Sequence, residues 1–211
     1  VAPVAAPVIG GLLTGSVGWQ GIFMILLFIG ILLGIGCIRF KESLPTEKRS
    51  KTGVFATFRS FGIIVHNRRY MLYVLQLAFA QGILFAYIAS SPFIIQQHYG
   101  FSPFAFSICF AVNAVAIGVA AAISVKFRRT ENGTLTGCIG MLVFAILQMA
   151  ALYSGCGFWT YELLMFALLF MMGLTFTAST TLAMDCERRY AGAASALLGA
   201  LCFASGGIVS P

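Results

Sequence analysis

The 211-residue chain is 60% hydrophobic and only 9% charged, against roughly 45–50% and 25% in ordinary soluble domains. Thirteen basic and six acidic side chains cannot coat a water-soluble globule of this length, so that class is excluded. Nor does the net charge of +7 point to nucleic acid, because the cations are bunched between long apolar runs, where they act as topology determinants.

Residues 1–38, 70–125, 132–161 and 190–211 carry no Asp, Glu, Lys or Arg. A bilayer core about 30 Å thick needs roughly 20 apolar residues per helix. That length predicts seven segments, at about 1–13, 20–38, 70–91, 104–125, 134–153, 162–184 and 191–211. The fold class expected is an all-α, multi-pass membrane protein. The first and last segments run apolar to the chain ends, so the chain is expected to be part of a longer one.

The first segment places Pro3, Pro7 and Gly11 on one face, with Gly10 adjacent. Proline in a spanning helix frees a carbonyl and bends the axis. A fixed packing seam and a sliding, gating surface both fit that pattern. The basic residues Arg39, Lys41, Lys48, Arg49, Lys51, Arg59, Arg68 and Arg69 follow the second segment. Lys126, Arg128 and Arg129 follow the fourth, and Arg188 and Arg189 the sixth. The alternate loops, near 14–19, 92–103 and 154–161, hold no Lys or Arg. All 13 cations therefore fall on one side, predicting loops 39–69, 126–133 and 185–190 to be cytoplasmic. Trp19, Tyr99, Phe158, Trp159 and Tyr161 gather at the opposite ends, as interfacial aromatic rings do. Within the basic connection, residues 53–64 predict a short amphipathic helix lying at the membrane surface. The connection also marks a seam: 1–38 as two helices of one block, 39–69 as a linker, 70–211 as five helices of a second block.

Polar side chains inside the apolar runs carry the remaining signal. In the third segment Tyr73, Gln76, Ala80, Leu84, Tyr87 and Ser91 share one helical face. Asn113 stands alone in the fourth segment and Gln148 alone in the fifth; Thr175, Thr177, Ser179, Thr180 and Thr181 stand in the sixth. The Thr and Ser set reads as hydroxyls bonding their own or a neighbouring helix. Tyr73, Gln76, Tyr87 and Asn113 read as the lining of a substrate cavity, interhelical hydrogen bonding being the alternative. In the last segment Ser195, Gly199, Cys202 and Gly206 fall on one face as a close-packing seam.

Ionisable residues at depth mark function in membranes, and here the acidic residues sit at span ends. Glu162 at the outer end of the sixth segment, and Asp185 and Glu187 at its inner end, read as solvated or salt-bridged helix termini. His66 and His98 fall in loops. The six cysteines form no CxxC and no Cys/His spacing suited to zinc, so neither metal nor cofactor is expected. Nucleophile elbows, HExxH and phosphate-cradling loops are missing, so an enzyme is not expected.

Several stretches resemble one transporter family. The opening APVAAPVIGG (2–11) resembles the fifth-helix motif of drug antiporters in the major facilitator superfamily. Together with GWQGIF (18–23), it is most similar to the bicyclomycin-resistance drug-efflux group, which usually has Arg in place of Gln20. LFAYIASSPFIIQQHYGFSPFAFSICFAVNA (84–114) resembles that group's seventh helix, outer loop and eighth helix, and AGAASALLGAL (191–201) its eleventh helix. The resemblance implies a truncated bundle running from the fifth to the eleventh of twelve helices, with residues 39–69 linking two six-helix halves. It implies proton-coupled export of drug-like small molecules from a bacterial inner membrane. Pro3, Pro7, Gly10 and Gly11 then form the antiporter-type fifth helix, and Tyr73, Gln76, Tyr87 and Asn113 contact substrate. The inner loop KFRRTENG (126–133) lacks the Asp of the fuller superfamily motif. The embedded carboxylate of such families belongs to the first four helices, so the proton is implied by kinship alone. A metabolite or sugar transporter of the same superfamily, or a non-transporting membrane component, is the alternative reading.

Overall fold

A computed structural model describes residues 2–40, 54–127 and 129–209, in backbone only at 2–9, 11, 12, 14–16 and 54–59. Residues 41–53 of the basic connection, Arg128, and the side chains of Pro3 and Pro7 therefore lie outside the described residues, and Gly11 is described in backbone only. The chain forms α1 (Ala2–Arg39), α2 (Val54–His66), α3 (Arg68–Pro92), α4 (Pro103–Ser124), α5 (Thr130–Tyr153), α6 (Phe158–Cys186) and α7 (Ala191–Val209). Among the described residues, six helices are long and apolar enough to cross a membrane. The molecule is an all-α, multi-pass integral membrane protein.

Two predicted loops are shorter than expected. Residues 14–19 do not leave the helix as a loop: α1 runs on with a single break at Gly18, whose φ of 66° and ψ of 179° lie outside the helical region. Only glycine takes that left-handed φ without penalty, so one residue does the work assigned to six. Pro92 does not end the third span either. Its ring nitrogen cannot donate to the carbonyl one turn back, and the chain continues as a wider π-helical turn, Phe93–His98. The amide of Tyr99 donates to the Ile94 carbonyl at 3.1 Å, five residues back. His98 and His66 thus end helical segments rather than sitting in loops.

Local chemistry fixes the other starts. The Asn67 side chain caps α3 by accepting from the amides of Arg69 and Tyr70, and Ser102 caps α4 just ahead of Pro103 at the first helical position. Two long-range hydrogen bonds show which loops share an end. Asn67 Nδ2 donates to Glu187 Oε1 at 2.7 Å, tying the α2–α3 junction to the α6–α7 junction at the end rich in cations. Tyr70 Oη adds a 2.6 Å bond to the Ala194 carbonyl there. At the opposite end, Tyr99 Oη donates to the Cys156 carbonyl at 3.0 Å. Tyr99 and Phe158 pack edge to face with centroids 5.6 Å apart.

The helix α6 is the internal axis, packed against α3, α4 and α5. Its approach depends on small residues, as expected where no hydrophobic drive favours helix pairing. A Cβ added at Gly173 would lie 2.5 Å from the Ile117 carbonyl oxygen of α4. One added at Gly137 of α5 would lie 2.6 Å from Thr175 Cβ and 2.8 Å from the Met171 carbonyl oxygen of α6. Two apolar clusters result: Ala80, Tyr87, Phe110, Met141, Leu168, Leu169 and Met172 in the outer part, and Ile64, Tyr70, Val74, Ala183 and Ala194 at the cationic end. Ile64, fully buried, draws the end of the amphipathic α2 onto this second cluster.

On α7, Cys202 and Gly206 are buried while Gly199 is half-buried and Ser195 faces outward. Gly206 meets the Phe85 ring, and the neighbouring Ser205 donates to the Ala78 carbonyl at 2.6 Å. The face that meets α3 is therefore rotated from Ser195 towards Ala194.

Candidate functional site

The polar residues of the spans separate into two networks at different depths. Gln76 and Tyr87 are eleven residues apart on α3, roughly 16 Å along the helix. Gln76 Nε2 donates to Thr175 Oγ1 of α6 at 3.2 Å. Thr175, fully buried, donates in turn to the Thr134 carbonyl of α5 at 3.0 Å. Thr134 and Ser179 hydroxyls meet at 3.2 Å. Thr180 and Thr181 instead bond back to their own helix, to the carbonyls of Phe176 and Thr177. This network joins α3, α5 and α6 towards the cationic end. Tyr73, half-buried, packs beside it on the Tyr70 cluster.

The second network lies in the outer half. Asn113, fully buried at the middle of α4, donates both amide hydrogens from Nδ2. One goes to Tyr87 Oη of α3 at 3.1 Å and the other to Glu162 Oε1 of α6 at 2.8 Å. The Tyr87 ring stacks on Phe110 with centroids 5.5 Å apart and planes 19° from parallel; Phe106 extends the aromatic wall. Above it sit Tyr99, Phe101, Phe158 and Tyr161. The phenol of Tyr99, outside the spans, is pushed up to about 12 by burial and by its contact with Cys156.

Of the four residues singled out in the sequence, the structure brings Tyr87 and Asn113 together, puts Gln76 in the other network, and leaves Tyr73 at the cationic end. Sequence reasoning missed Glu162. It is neither solvated nor salt-bridged: its Oε1 accepts from Asn113, and its Oε2 is buried with no hydrogen-bond partner among the described residues. The signal was present in the charge pattern. Every Lys and Arg lies at the other end of the spans, so a carboxylate at the start of the sixth span had no cation to pair with. By contrast Asp185, at the cationic end, does pair with Arg188 at 2.9 Å. Among the described residues no group of three His, Cys, Asp or Glu converges as a metal site would need, and all six cysteines are free thiols.

The family model for the Major Facilitator Superfamily matches residues 1–211. An uncharacterised MFS-type transporter of Bacillus subtilis, YdgK, is 36% identical over 218 residues, spanning 100% of this chain and 54% of its own length. A bicyclomycin resistance protein homolog of Haemophilus influenzae is 26% identical over 223 residues, spanning 99% of this chain and 54% of its own. The multidrug transporter MdfA of Edwardsiella ictaluri is 28% identical over 104 residues, 49% of this chain and 25% of its own. The chain thus spans about half the length of the longer-matching relatives.

Proposed function

Because the chain belongs to the Major Facilitator Superfamily, a family of transporters, we propose that the intact protein exports small, amphipathic, drug-like compounds in exchange for protons. Export proceeds by alternating access, two helical halves rocking about a central site. Residues 1–38 close the first half, 39–69 link the halves on the cytoplasmic face, and 70–211 belong to the second half. The setting is a bacterial inner membrane, with the cation-rich loops inside.

The observation that carries this reading is the buried hydrogen bond between Tyr87 and Asn113 beside the stacked Phe110 ring. Inside an otherwise apolar bundle it sets flat aromatic surface next to a few polar atoms, the combination that holds chemically varied amphipathic ligands. Gln76 and Tyr73 serve the same ligand path nearer the cytoplasm. Gly10, with Pro3, Pro7 and Gly11 of the same segment, forms the seam along which the halves slide. The names of the Haemophilus and Edwardsiella relatives, bicyclomycin resistance and multidrug transport, favour drugs over sugars or metabolites as cargo.

A drug-susceptibility panel in a sensitive bacterial host expressing the intact protein tests this. Tyr87→Ala and Gln76→Ala are expected to weaken resistance at unchanged membrane abundance. Unaltered resistance removes those residues from the path. A parent protein that confers no resistance but takes up a metabolite overturns the drug assignment.

A further inference from the structure

The outer network holds buried polar atoms without partners among the described residues: the acceptors Asn113 Oδ1 and Glu162 Oε2, and the hydroxyls of Ser91 and Tyr161. Asn113 has spent both amide hydrogens, yet its own Oδ1 and Glu162 Oε2 are buried acceptors with no donor among the described residues. The Tyr161 hydroxyl beside them is equally without a partner, on a side chain with no exposed surface. Buried acceptors lacking donors are costly, and most so at an ionised carboxylate in a bilayer. The depth is considerable. Asn113 stands ten residues into α4, roughly 15 Å from its start. In a 22-residue helix that is close to the midpoint.

We propose that Glu162 is a proton-binding carboxyl of this half of the transporter, and that Asn113 relays its protonation state to Tyr87. With the carboxylate ionised, Asn113 turns Nδ2 towards Glu162 Oε1 and Tyr87 Oη, as observed. Tyr87 then accepts from the amide and keeps its own hydrogen free for a ligand. When Glu162 takes a proton from the aqueous phase, the acid becomes a donor, and the two faces of the amide exchange places. Oδ1 now accepts from both the Glu162 acid and the Tyr87 hydroxyl. The hydrogen that Tyr87 offered to a ligand is withdrawn and its lone pairs are presented instead. No covalent bond beyond the O–H of the acid is made. The proton and the ligand are thereby coupled through one rotating amide.

The titratable groups around Glu162 are few. Tyr87 faces it from α3 and Cys109 from α4, and Tyr161 adjoins it on α6. Tyr99 of the outer loop packs on Tyr161 with ring centroids 5.8 Å apart. The outer halves of α5 and α7 carry no Asp, Glu, Lys, Arg or His, and Tyr153 at the end of α5 is exposed. Glu162 is the carboxyl of this cluster, and His98 lies beyond it, edge-on to Tyr99 with ring centroids 4.8 Å apart.

This site rests on the proton-exchange part of the proposed function, but its test does not need transport. Infrared difference spectra of the intact protein in lipid vesicles, titrated through neutral and acidic pH, read carboxylic-acid carbonyls directly. The wild type is expected to gain a carbonyl band with a coupled change in the tyrosine C–O band, both lost in Glu162→Gln. Asn113→Leu is expected to keep the carbonyl band, moved towards the frequency of an acid without a hydrogen bond, and to lose the tyrosine change. If Glu162→Gln does not fold, the Asn113→Leu spectrum decides alone. Wild-type and variant spectra that superimpose overturn the proposal. Normal spectra in a protein that moves no drug overturn the export reading instead and leave the proton site standing.

Discussion

The second leg of α1, Val17–Arg39, and α6 make the most instructive pair in this molecule. The α1 leg is the more apolar of the two, yet none of its apolar window is buried, whereas half of the α6 window is. In water that ordering would be reversed, since the greasier helix would be driven inside. In lipid the acyl chains satisfy apolar side chains as well as a neighbouring helix does, so apolarity alone does not set burial, and the burial of the α1 leg is that within a chain spanning about half the length of its relatives. The α6 helix has close approach and polar partners: Gly173 against α4, Thr175 and Ser179 facing α5, and Glu162 reaching Asn113. The α1 leg offers Phe, Leu and Ile to the outside, with Gly30, Gly34 and Gly36 meeting nothing within 4 Å of an added Cβ.

The largest expected effect breaks that contrast at its glycines. Gly173→Val forces a branched side chain against the Ile117 carbonyl and is expected to cost about 2–3 kcal/mol, read as a lower unfolding midpoint in micelles. Gly30→Leu in the α1 leg is expected to leave the midpoint of the same chain unchanged. A similar loss at both positions would mean that α1 is packed as tightly as α6.

Next comes the polar tie. Asn113→Leu removes two interhelical hydrogen bonds at once and is expected to cost about 1–2 kcal/mol by the same measurement. Replacing Leu27, exposed on the α1 leg, by Asn should not recover any of it. At the cationic end Tyr70→Phe removes the bond to Ala194 and is expected to cost about 0.6 kcal/mol.

A further effect concerns pH at the outer clasp. Because the Tyr99 phenol sits near 12 rather than its ordinary 10, the folded chain holds that proton where the unfolded chain has lost it. Its contribution is therefore full below pH 10 and falls as pH rises through 10 to 12. Tyr99→Phe is expected to cost about 1 kcal/mol below pH 10 and to flatten this alkaline slope. An unchanged slope would place the sensitivity elsewhere.

Which loops share an end was legible in the sequence because it is written in charge: 13 cations in alternate loops leave little freedom. The hydrogen bonds Asn67–Glu187 and Tyr99–Cys156 gather the same loops at opposite ends. The fold class followed from apolar length. Span ends were less legible, since Pro92 was read as a terminator, whereas a π turn lets the backbone pass a missing donor. The pairing of Tyr87 with Asn113 could be suspected from their helical faces, but not their joint hold on Glu162. A carboxylate four residues inside a helix looks terminal until the neighbour's register is known, and only the packing of α4 on α6 brings it onto Asn113. Ser195 illustrates the same limit: a 3–4 spacing names a stripe but not which edge of it meets α3.

The most direct measurement is equilibrium binding of a compound drawn from the susceptibility panel to the purified intact protein carrying Asn113→Leu, beside the parent. Weakening by about tenfold or more, some 1.4 kcal/mol, for Asn113→Leu is the expected result. Equal affinity for Asn113→Leu and the parent would contradict a ligand site built on the α3–α4–α6 tie.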